Sequence, residues 1–472
     1  MSSSSIAIQR IHSLLDANSF VEIGALVRAR ATDFNTAPVG EASDGVITGY
    51  GLIDGRLVYI YSQNADVAGG SIGEMHAKKI VKLYSLAIKT GAPVIGLIDS
   101  AGLRLQEGMD ALNAFGLIYA QQAKASGIIP QISVIFGSCG GGLALFPAMT
   151  DFTLMENDAK LFVNSPNALA GNREEADDTA AAAFKAACGD VDFVGTQEEI
   201  MDQIRYLINI LPSNNEDESS GECSDDLNRL CPFAEAFTED PIAALTEIAD
   251  NSLFFEMKRD YAKEMVTGFA RLGGTTVGII ANRTASFNEN GVKSAEYTKG
   301  LTTAGCRKAA ALVRFCDAFE IPVITLTNAA GFAATKEEEA GIASAAGQLA
   351  AAFACANVPR INVITGRAAA SAYAVMNSCA LGADLTFAYR GASVGILEGK
   401  YAAPILCSGT AQEIARTARE YDDLQNSIES AAARGYVDQI IRPEDVRKQL
   451  IGAVEVLYSK REALPSRKHA SV

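Results

Sequence analysis

The apolar positions of this chain fall into short continuous runs separated by stretches with helical spacing. An apolar run at 57–61 predicts a strand, and a helical stretch follows that Gly91 can end in the left-handed conformation. A second apolar run, 93–99, begins directly afterwards, and further runs occur at 132–136 and 151–155. Short buried strands that alternate with helices predict an α/β fold, with a parallel sheet covered on both faces.

This pattern occurs twice along the chain. The segment Pro-Val-Ile-Gly-Leu-Ile-Asp at 93–99 returns as Pro-Val-Ile-Thr-Leu-Thr-Asn at 322–328, an offset of 229 residues. The next predicted strand recurs at the same offset. In each copy it is followed by a run of small residues, 140–142 in the first and 368–372 in the second. Several matches at one offset predict two copies of a single α/β unit.

The length of the chain also favours two domains. Its 472 residues exceed the ~250–300 residues at which a single hydrophobic core stops growing. The segment 211–222 is polar, acidic and rich in turn residues, so it is predicted to be an exposed linker. We place the two domains at 1–234 and 235–472. The last helix is predicted to begin at Pro443, with acidic residues in its first turn.

Charge and cysteine content limit the protein class and compartment. A net charge of −16 argues against nucleic acid as a partner. No apolar run reaches the ~18 residues that a membrane-spanning helix needs. Residues 1–5 lack the features of a signal peptide. The nine cysteines are odd in number and form no Cys-x-x-Cys motif, which fits a reducing compartment. We therefore expect a cytoplasmic protein.

Side chains that commonly carry catalysis give little signal. His12, His76 and His469 are scattered without metal-ligand spacing, so we expect surface or structural histidines and no metal site. The chain contains no Gly-x-Ser-x-Gly motif and no Walker loop. A Ser-His-Asp triad is therefore not indicated, although such a triad needs no fixed spacing.

The two small-residue turns are stronger candidates. A strand that ends in consecutive small residues and then enters a helix can point two backbone N–H groups into one pocket. These donors can hold a developing oxyanion, and glycine lets a bulky acyl group approach the backbone closely. A lone glycine run would more often be a loop or a packing feature. Two such runs at matched places in a duplicated fold predict two oxyanion-binding sites.

Several motifs resemble a known family. Residues 100–108 (Ser-Ala-Gly-Leu-Arg-Leu-Gln-Glu-Gly) resemble the Ser-Gly-Gly-Ala-Arg-x-Gln-Glu-Gly segment of biotin-dependent acyl-CoA carboxyltransferases. That family includes the β subunits of acetyl- and propionyl-CoA carboxylases and the α subunits of sodium-pumping decarboxylases. Residues 137–142 (Gly-Ser-Cys-Gly-Gly-Gly) are similar to its Gly-Pro-Cys-Ala-Gly-Gly. The other matching segments are 44–51, 315–319, 435–438 and 465–469.

The resemblance implies a specific fold and two ligands. The fold would consist of two tandem crotonase/ClpP-like carboxyltransferase domains, that is, a duplicated ββα superhelix. In the family, the thioester oxygen of acyl-CoA binds at the first-copy turn and the carbonyl oxygen of biotin at the second. The implied cofactor is biotin, carried on a partner protein or domain, and the implied substrate is a coenzyme A thioester.

The matched motifs also imply site residues. Gly141 and Gly142 would form the first oxyanion hole. The family's second-copy Gly-Gly-Ala corresponds to 370–372, which gives Ser371 and Ala372 as the second pair. The offset of 229 would instead give Ala370 and Ser371. The implied substrate-binding residues are Gly102, Arg104, Gly140, Ala370, Tyr373, Ala374, Gly331 and Phe332.

The function implied by the resemblance is carboxyl transfer between carboxybiotin and the α-carbon of a short-chain acyl-CoA of the propionyl or acetyl type. The implied partners are a biotin carboxyl carrier protein, a biotin carboxylase or a membrane decarboxylase subunit, and further copies of the chain in a dimer or hexamer. One alternative is the α subunit of a sodium-pumping methylmalonyl- or glutaconyl-CoA decarboxylase. Another is a non-catalytic CoA-binding homologue, because 344–348 lacks three cations that the family carries there.

Overall fold

The chain forms two compact units, Met1–Glu218 and Ser219–Val472. The computed structural model describes residues 5–32, 34, 43–218, 220–235, 238–288 and 290–462. Residues 1–4 of the N-terminus and the matched motif at 465–469, which includes His469, lie outside the described residues. Each unit contains one eight-stranded sheet with helices between its strands, which confirms the predicted α/β fold.

Strands and helices alternate in the first unit. Its helices are α1 (Ile6–Leu14), α2 (Glu74–Thr90), α3 (Met109–Ala125), α4 (Leu145–Ala148), α5 (Ala182–Cys188) and α6 (Gln197–Ile210). Its strands are β1 (Val21–Ile23), β2 (Val46–Ile53), β3 (Arg56–Gln63), β4 (Val94–Ser100), β5 (Gln131–Gly140), β6 (Phe152–Glu156), β7 (Lys160–Phe162) and β8 (Phe193–Gly195). The sheet order is β1-β2-β3-β4-β5-β6-β8, and β7 also pairs with β5. From β3 onwards all neighbours are parallel.

The second unit repeats this order. Its helices are α7 (Pro241–Ile248), α8 (Thr303–Ala318), α9 (Lys336–Glu339), α10 (Ile342–Cys355), α11 (Ala370–Val375), α12 (Gly399–Leu406), α13 (Ala411–Tyr421), α14 (Ile428–Ala433) and α15 (Val446–Leu457). The sheet strands are β9 (Phe254–Met257), β10 (Met265–Leu272), β11 (Thr275–Asn282), β14 (Val323–Ala329), β15 (Arg360–Ala369), β16 (Leu385–Tyr389), β17 (Ser393–Gly395) and β18 (Gln439–Ile441). A separate hairpin is formed by β12 (Ala285–Phe287) and β13 (Lys293–Glu296). The order β18-β16-β15-β14-β11-β10-β9, with β17 on β15, matches that of the first sheet.

Strand register confirms the repeat predicted from the sequence. Val94 pairs with Gln131 where β4 meets β5, and Val323 pairs with Arg360 where β14 meets β15. Both strand pairs also lose their regular register near the end of the first strand. The offset of 229 residues therefore extends to the pairing of individual residues. It brings the ends of β5 and β15 to equivalent places in their two sheets.

The predicted linker differs from expectation because part of it packs on the first unit. Leu211 is buried, and Asn214 Nδ2 donates to the Gly91 carbonyl at 2.8 Å. Further along, Cys231 and Ala234 are buried in the core of the second unit. The boundary between the two units therefore follows residue 218, whereas the sequence predicts it after residue 234. The last helix also begins later than expected, because 443–445 forms a 3₁₀ turn before α15.

Each copy buries one lysine at the repeat offset. Lys79 Nζ donates to the Ser43 carbonyl at 3.2 Å. Lys308 Nζ donates to the carbonyls of Lys258 at 2.9 Å and Tyr261 at 2.8 Å. Burial lowers the pKa of each lysine to about 8. Both ammonium groups thus bind the backbone of the loop that enters β2 or β10.

His76 has the structural role expected from its isolation in the sequence. It is fully buried, with Nδ1 3.0 Å from the Asp44 carbonyl and Nε2 3.3 Å from Gln63 Nε2. A carbonyl only accepts hydrogen bonds, so Nδ1 carries the proton and Nε2 accepts from Gln63. Burial holds the pKa of His76 well below its usual range, so the ring is neutral.

Asp151 provides a test of this packing through its pH dependence. Its Oδ2 accepts from the Gln131 N–H at 2.8 Å, and burial raises its pKa to about 7. In the unfolded chain its pKa is ~3.9. Between these values the folded state keeps a proton that the unfolded state releases, so this contribution to stability falls as pH rises.

We expect Asp151→Asn to raise the melting temperature at pH 8 by ~2–6 °C relative to the unmodified protein, and hardly at all at pH 4. The asparagine keeps an acceptor for Gln131 and removes the buried charge. Differential scanning calorimetry of both proteins at the two pH values measures the effect. An equal shift at pH 4 and pH 8 would contradict the raised pKa.

Candidate active site

The first candidate turn is formed where β5 enters a 3₁₀ segment, 141–144, and then α4. Gly141 has a φ of 63°, a left-handed conformation that favours glycine. The N–H groups at the start of a helical segment have no carbonyl partner within it. Gly141 and Gly142, the predicted oxyanion pair, are the first two residues of the helical segment that follows β5. Their N–H groups are therefore available to an external acceptor.

Aromatic side chains pack against this turn. Tyr119 Oη donates to the Gly142 carbonyl at 2.6 Å. A Cβ on Gly142 would lie 3.2 Å from the Phe115 ring and 3.1 Å from Tyr119 Oη. Next to the turn, a Cβ on Gly140 would lie 2.6 Å from the Phe162 ring. A side chain at 140 would therefore require Phe162 to move, whereas one at 142 would require only small shifts of Phe115 and Tyr119, and Tyr119 fixes the orientation of the peptide that follows Gly142.

A short backbone ladder places Gly102 beside this turn. The Ala101 N–H donates to the Gly69 carbonyl at 2.8 Å, and the Ile72 N–H donates to the Gly102 carbonyl at 2.8 Å. The nearest atom to a Cβ built on Gly102 is the Gly140 carbonyl oxygen, at 3.5 Å. The structure thus brings together Gly102, Gly140 and the Gly141–Gly142 pair, which lie in separate parts of the sequence.

Arg104, also predicted to bind substrate, is buried next to this ladder. Its side chain is 4% exposed and forms ion pairs with Asp44 at 2.5 Å and Glu107 at 3.0 Å. Its Nη2 donates to the Ser71 carbonyl at 2.7 Å. The structure therefore places Arg104 inside the first unit, with its donors directed at protein acceptors.

The second candidate turn has the same backbone form as the first. It follows β15, and Ala370 has a φ of 53°, close to that of Gly141. This makes Ala370 the equivalent of Gly141, and Ser371 the equivalent of Gly142. The geometry thus favours the pair given by the repeat offset, one residue before the pair Ser371 and Ala372. Ser371 belongs to both pairs, and its N–H lies in the first turn of α11.

The remaining residues predicted for this site lie on the segment after β14 and in α11. Phe332 pairs with Leu301, and the Leu301 N–H donates to the Gly331 carbonyl at 2.9 Å. This ladder corresponds to the one beside Gly102. Tyr373 packs against the second core, and burial raises its pKa to about 12. The next residue, Ala374, is exposed.

A cavity of about 380 Å³ lies beside the end of β15. In the first copy, β7 places Phe162 opposite Gly140; in the second, β17 places Gly395 opposite Ala369. A side chain at 395 would collide with Asn426, since a Cβ there would lie 1.7 Å from its Oδ1. The polar residues that line the cavity are Arg367, Ser393, Glu398, Asp422, Asp423, Asn426 and Ser427.

Sequence reasoning did not identify Tyr119, Gly395 or Asn426. Tyr119 lies twelve residues before the start of β5, whose following turn it contacts, and has no local motif. Asn426 lies in a π-helical segment, 422–426, between α13 and α14, and its Nδ2 donates to the Leu397 carbonyl at 2.8 Å. The repeat gave no signal for Gly395, because the offset of 229 aligns Phe162 with Gly391, whereas the strand register aligns it with Gly395.

Comparisons with known proteins agree with the sequence motifs. The chain matches the carboxyl transferase domain family over residues 2–472. The propionyl-CoA carboxylase beta chain of Roseobacter denitrificans is 36% identical, over 99% of this chain and 93% of its own length. The methylmalonyl-CoA decarboxylase subunit alpha of Veillonella parvula is 37% identical, over 99% and 92%.

A solved structure also matches over nearly the whole chain. A transcarboxylase 12S crystal structure with hydrolysed methylmalonyl-coenzyme A bound has a TM-score of 0.91 and 33% identity, covering 98% of this chain and 92% of its own. No helix among the described residues is both long and apolar enough to cross a membrane.

The two left-handed turn residues give a matched pair of variants. A Cβ on Gly141 meets no atom within 4 Å, so Gly141→Ala tests backbone conformation alone. We expect it to lower the free energy of unfolding by ~1 kcal/mol, because left-handed strain outweighs the entropy gained. Ala370→Gly should raise the free energy of unfolding by ~0–1 kcal/mol, because it relieves the left-handed strain. Urea unfolding measures both variants, and stabilisation by Gly141→Ala would contradict the left-handed turn.

Proposed function

This chain belongs to the carboxyl transferase family, and we propose from that premise that it moves a carboxyl group between carboxybiotin on a carrier protein and the α-carbon of a short-chain acyl-CoA, of the propionyl or acetyl type. The observation that carries the proposal is the pair of equivalent turns, with Gly141 at 63° and Ala370 at 53° in φ. One turn would serve each substrate.

The first turn would act on the acyl-CoA. Its thioester oxygen would accept from the N–H groups of Gly141 and Gly142, which stabilise the negative charge that develops when the α-carbon loses its proton. Removing one such donor from an oxyanion hole typically costs ~3–4 kcal/mol of transition-state stabilisation. Gly102 and Gly140 would leave room for the thioester beside the backbone.

The second turn would act on biotin. When bound, biotin supplies the carboxyl group and then a ureido nitrogen that can accept the α-proton. The N–H of Ser371, with that of Ala370 or Ala372, would hold the ureido oxygen. The exposed turn and the polar cavity beside β15 support a ligand of this kind. No side-chain acid or base is required, because both substrates would be polarised by backbone donors.

A second candidate is the same chemistry run towards decarboxylation. It is favoured by relatives named methylmalonyl-CoA decarboxylase subunit alpha, from Veillonella parvula and Propionigenium modestum, each covered over 92% of its length. In this case the chain would work with a membrane subunit that pumps sodium. Assaying purified protein with carboxybiotin and a panel of acyl-CoAs, and separately with free biotin and malonyl-type CoAs, measures each direction.

We also propose that the chain assembles as a dimer or as a hexamer built from dimers. Large apolar side chains are exposed on both units, including Leu105 (87%) and Met109 (75%) in the first and Ile396 (76%) and Ile405 (78%) in the second. Exposed apolar groups of this size are typical of protein interfaces. The similar transcarboxylase 12S protein forms a hexamer assembly, which supports the larger of the two forms.

The backbone-donor mechanism predicts opposite results for two variants. Gly142→Pro removes an N–H at a position where the 3₁₀ segment does not need it, so the fold should persist while turnover falls ~10²-fold or more. Gly142→Ala adds the same Cβ and keeps the N–H, so it controls for crowding against Phe115 and Tyr119 and should lose much less. Ser371→Gly keeps its N–H and should retain most activity. The readout is transfer of the carboxyl group from methylmalonyl-CoA to free biotin, or from carboxybiotin to propionyl-CoA.

The serine variant decides between mechanisms. If Ser371→Gly abolished exchange while its circular dichroism spectrum stayed unchanged, the hydroxyl would be essential, as for a nucleophilic serine. The backbone-donor mechanism at the second turn would then be wrong.

The assembly proposal predicts a change in sedimentation. We expect the unmodified protein to sediment as a dimer or hexamer and Ile405→Asp to shift it towards smaller species, because a buried carboxylate opposes association. Val456→Asp makes the same change at an apolar residue of similar exposure (76%) on α15, and shows whether the effect is specific to position 405. An active monomer in the unmodified protein would contradict the proposal.

A further inference from the structure

Arg104 is the centre of a buried ionic network in the first unit. Its Nη1 contacts Asp44 Oδ1 at 2.5 Å and Glu107 Oε1 at 3.0 Å. Its Nη2 donates to the Ser71 carbonyl at 2.7 Å, and its Nε lies 3.4 Å from Ser71 Oγ. The planar guanidinium thus satisfies acceptors in three directions at once, which an ammonium group could not match.

Both carboxylates of this network also bind the start of α2. Asp44 Oδ2 accepts from the His76 N–H at 2.9 Å, and Glu107 Oε2 accepts from the Glu74 N–H at 2.6 Å. The first N–H groups of a helix need such partners, and its dipole favours negative charge there. The network therefore joins the loop before β2, the loop after β4 and the N-terminus of α2.

The loop after β4 is the segment that reaches the first candidate turn. The Arg104 N–H donates to the Ile72 carbonyl at 3.0 Å, which continues the ladder between 69–72 and 101–104. Gly102, two residues before Arg104, lies beside the Gly140 carbonyl. A displacement of the Arg104 side chain would therefore move the backbone that borders the first turn.

The second copy has the ladder without the network. The Leu301 N–H donates to the Gly331 carbonyl and the Ala333 N–H donates to the Leu301 carbonyl, both at 2.9 Å. Ala333 stands at the position equivalent to Arg104, whereas Glu338 takes the place of Glu107 at the helix start, since its Oε2 accepts from the Thr303 N–H at 2.6 Å. Backbone pairing and this carboxylate are thus enough to form the ladder, so the Arg104 guanidinium and its ion pairs are specific to the first copy.

We infer that Arg104 is a positioning residue of the acyl-CoA site: it touches no substrate and holds the backbone of 101–103 against the first turn through Asp44, Glu107 and Ser71. The inference rests on the proposed function, because it assigns the first turn to acyl-CoA. It differs from direct recognition, in which a cationic side chain would meet a phosphate of coenzyme A.

Two substitutions separate these roles. Arg104→Lys keeps the positive charge but loses the hydrogen bonds in three directions. Arg104→Met loses both the charge and these hydrogen bonds. We expect both variants to weaken coenzyme A binding about tenfold, because small displacements of binding groups are costly. The KM for acyl-CoA should rise similarly, while the KM for free biotin stays within about twofold in the exchange assay. Isothermal titration with coenzyme A measures the binding.

The salt dependence of binding gives an independent readout. A side chain that contacts a phosphate contributes to the slope of log K against log salt concentration. A buried positioning residue does not, so the slope should be the same in Arg104→Met as in the unmodified protein. Wild-type affinity in Arg104→Lys, together with a reduced slope in Arg104→Met, would show direct contact and overturn the inference. Unchanged coenzyme A affinity in both variants would also overturn it.

A matched control comes from Arg447, which is fully buried in the second unit. Its Nη2 contacts Asp250 at 2.7 Å and its Nη1 donates to the Ile248 carbonyl at 2.6 Å. Arg447→Lys disturbs a similar buried network and should lower stability without changing coenzyme A affinity. An equal loss of affinity in Arg447→Lys would show that general destabilisation explains the Arg104 variants.

Glu107→Gln keeps the test decisive if the Arg104 variants fail to fold. The amide oxygen can still accept from the Glu74 N–H, while the ion pair with Arg104 is lost. We expect a rise in the KM for acyl-CoA and no change in the KM for biotin, and equal rises in both would overturn the inference. If the unmodified protein neither binds coenzyme A nor exchanges carboxyl groups, the proposed function fails instead.

Discussion

The left-handed residue at the end of a central strand is the constraint on which both candidate sites depend. At this residue the chain leaves the sheet and enters a helical segment. The first N–H groups of that segment have no partner within it, so they can bind an external acceptor. Glycine meets this requirement at 141 without strain, whereas Ala370 adopts the same conformation at a cost.

Much of the architecture could be predicted because the repeat is written in the apolar pattern. Strand 93–99, the helix ending at Gly91 and the second copy were all recognisable, and the family comparison confirms the resemblance. The boundary at 218 was not predictable, since composition marks a polar segment without showing which side it packs on. Arg104 shows the same limit within the site: a cation in a recognised motif does not reveal whether its partners are ligands or protein carboxylates.

The two copies share a backbone and differ in what supports it. The first turn rests on aromatic rings and lies next to a buried ionic network, which together make its surroundings dense and rigid. The second turn adjoins a polar cavity, because Gly395 stands where the first copy has Phe162. Identical main-chain chemistry is therefore placed in two environments of different shape and polarity. This difference is the one that the proposed function requires, because it assigns a thioester to the first turn and a polar bicyclic urea to the second.

Lys79 and Lys308, the paired buried lysines, show how two copies can keep one contact while their sequences differ. Each ammonium group is held by main-chain carbonyls, and carbonyls are present whatever side chains a loop carries. A lysine bound in this way tolerates almost any change in the sequence of its partners, so both copies could retain it while their ligand-facing residues evolved apart. The two lysines thus hold equivalent loops in both copies through contacts that place no demand on the side chains of those loops.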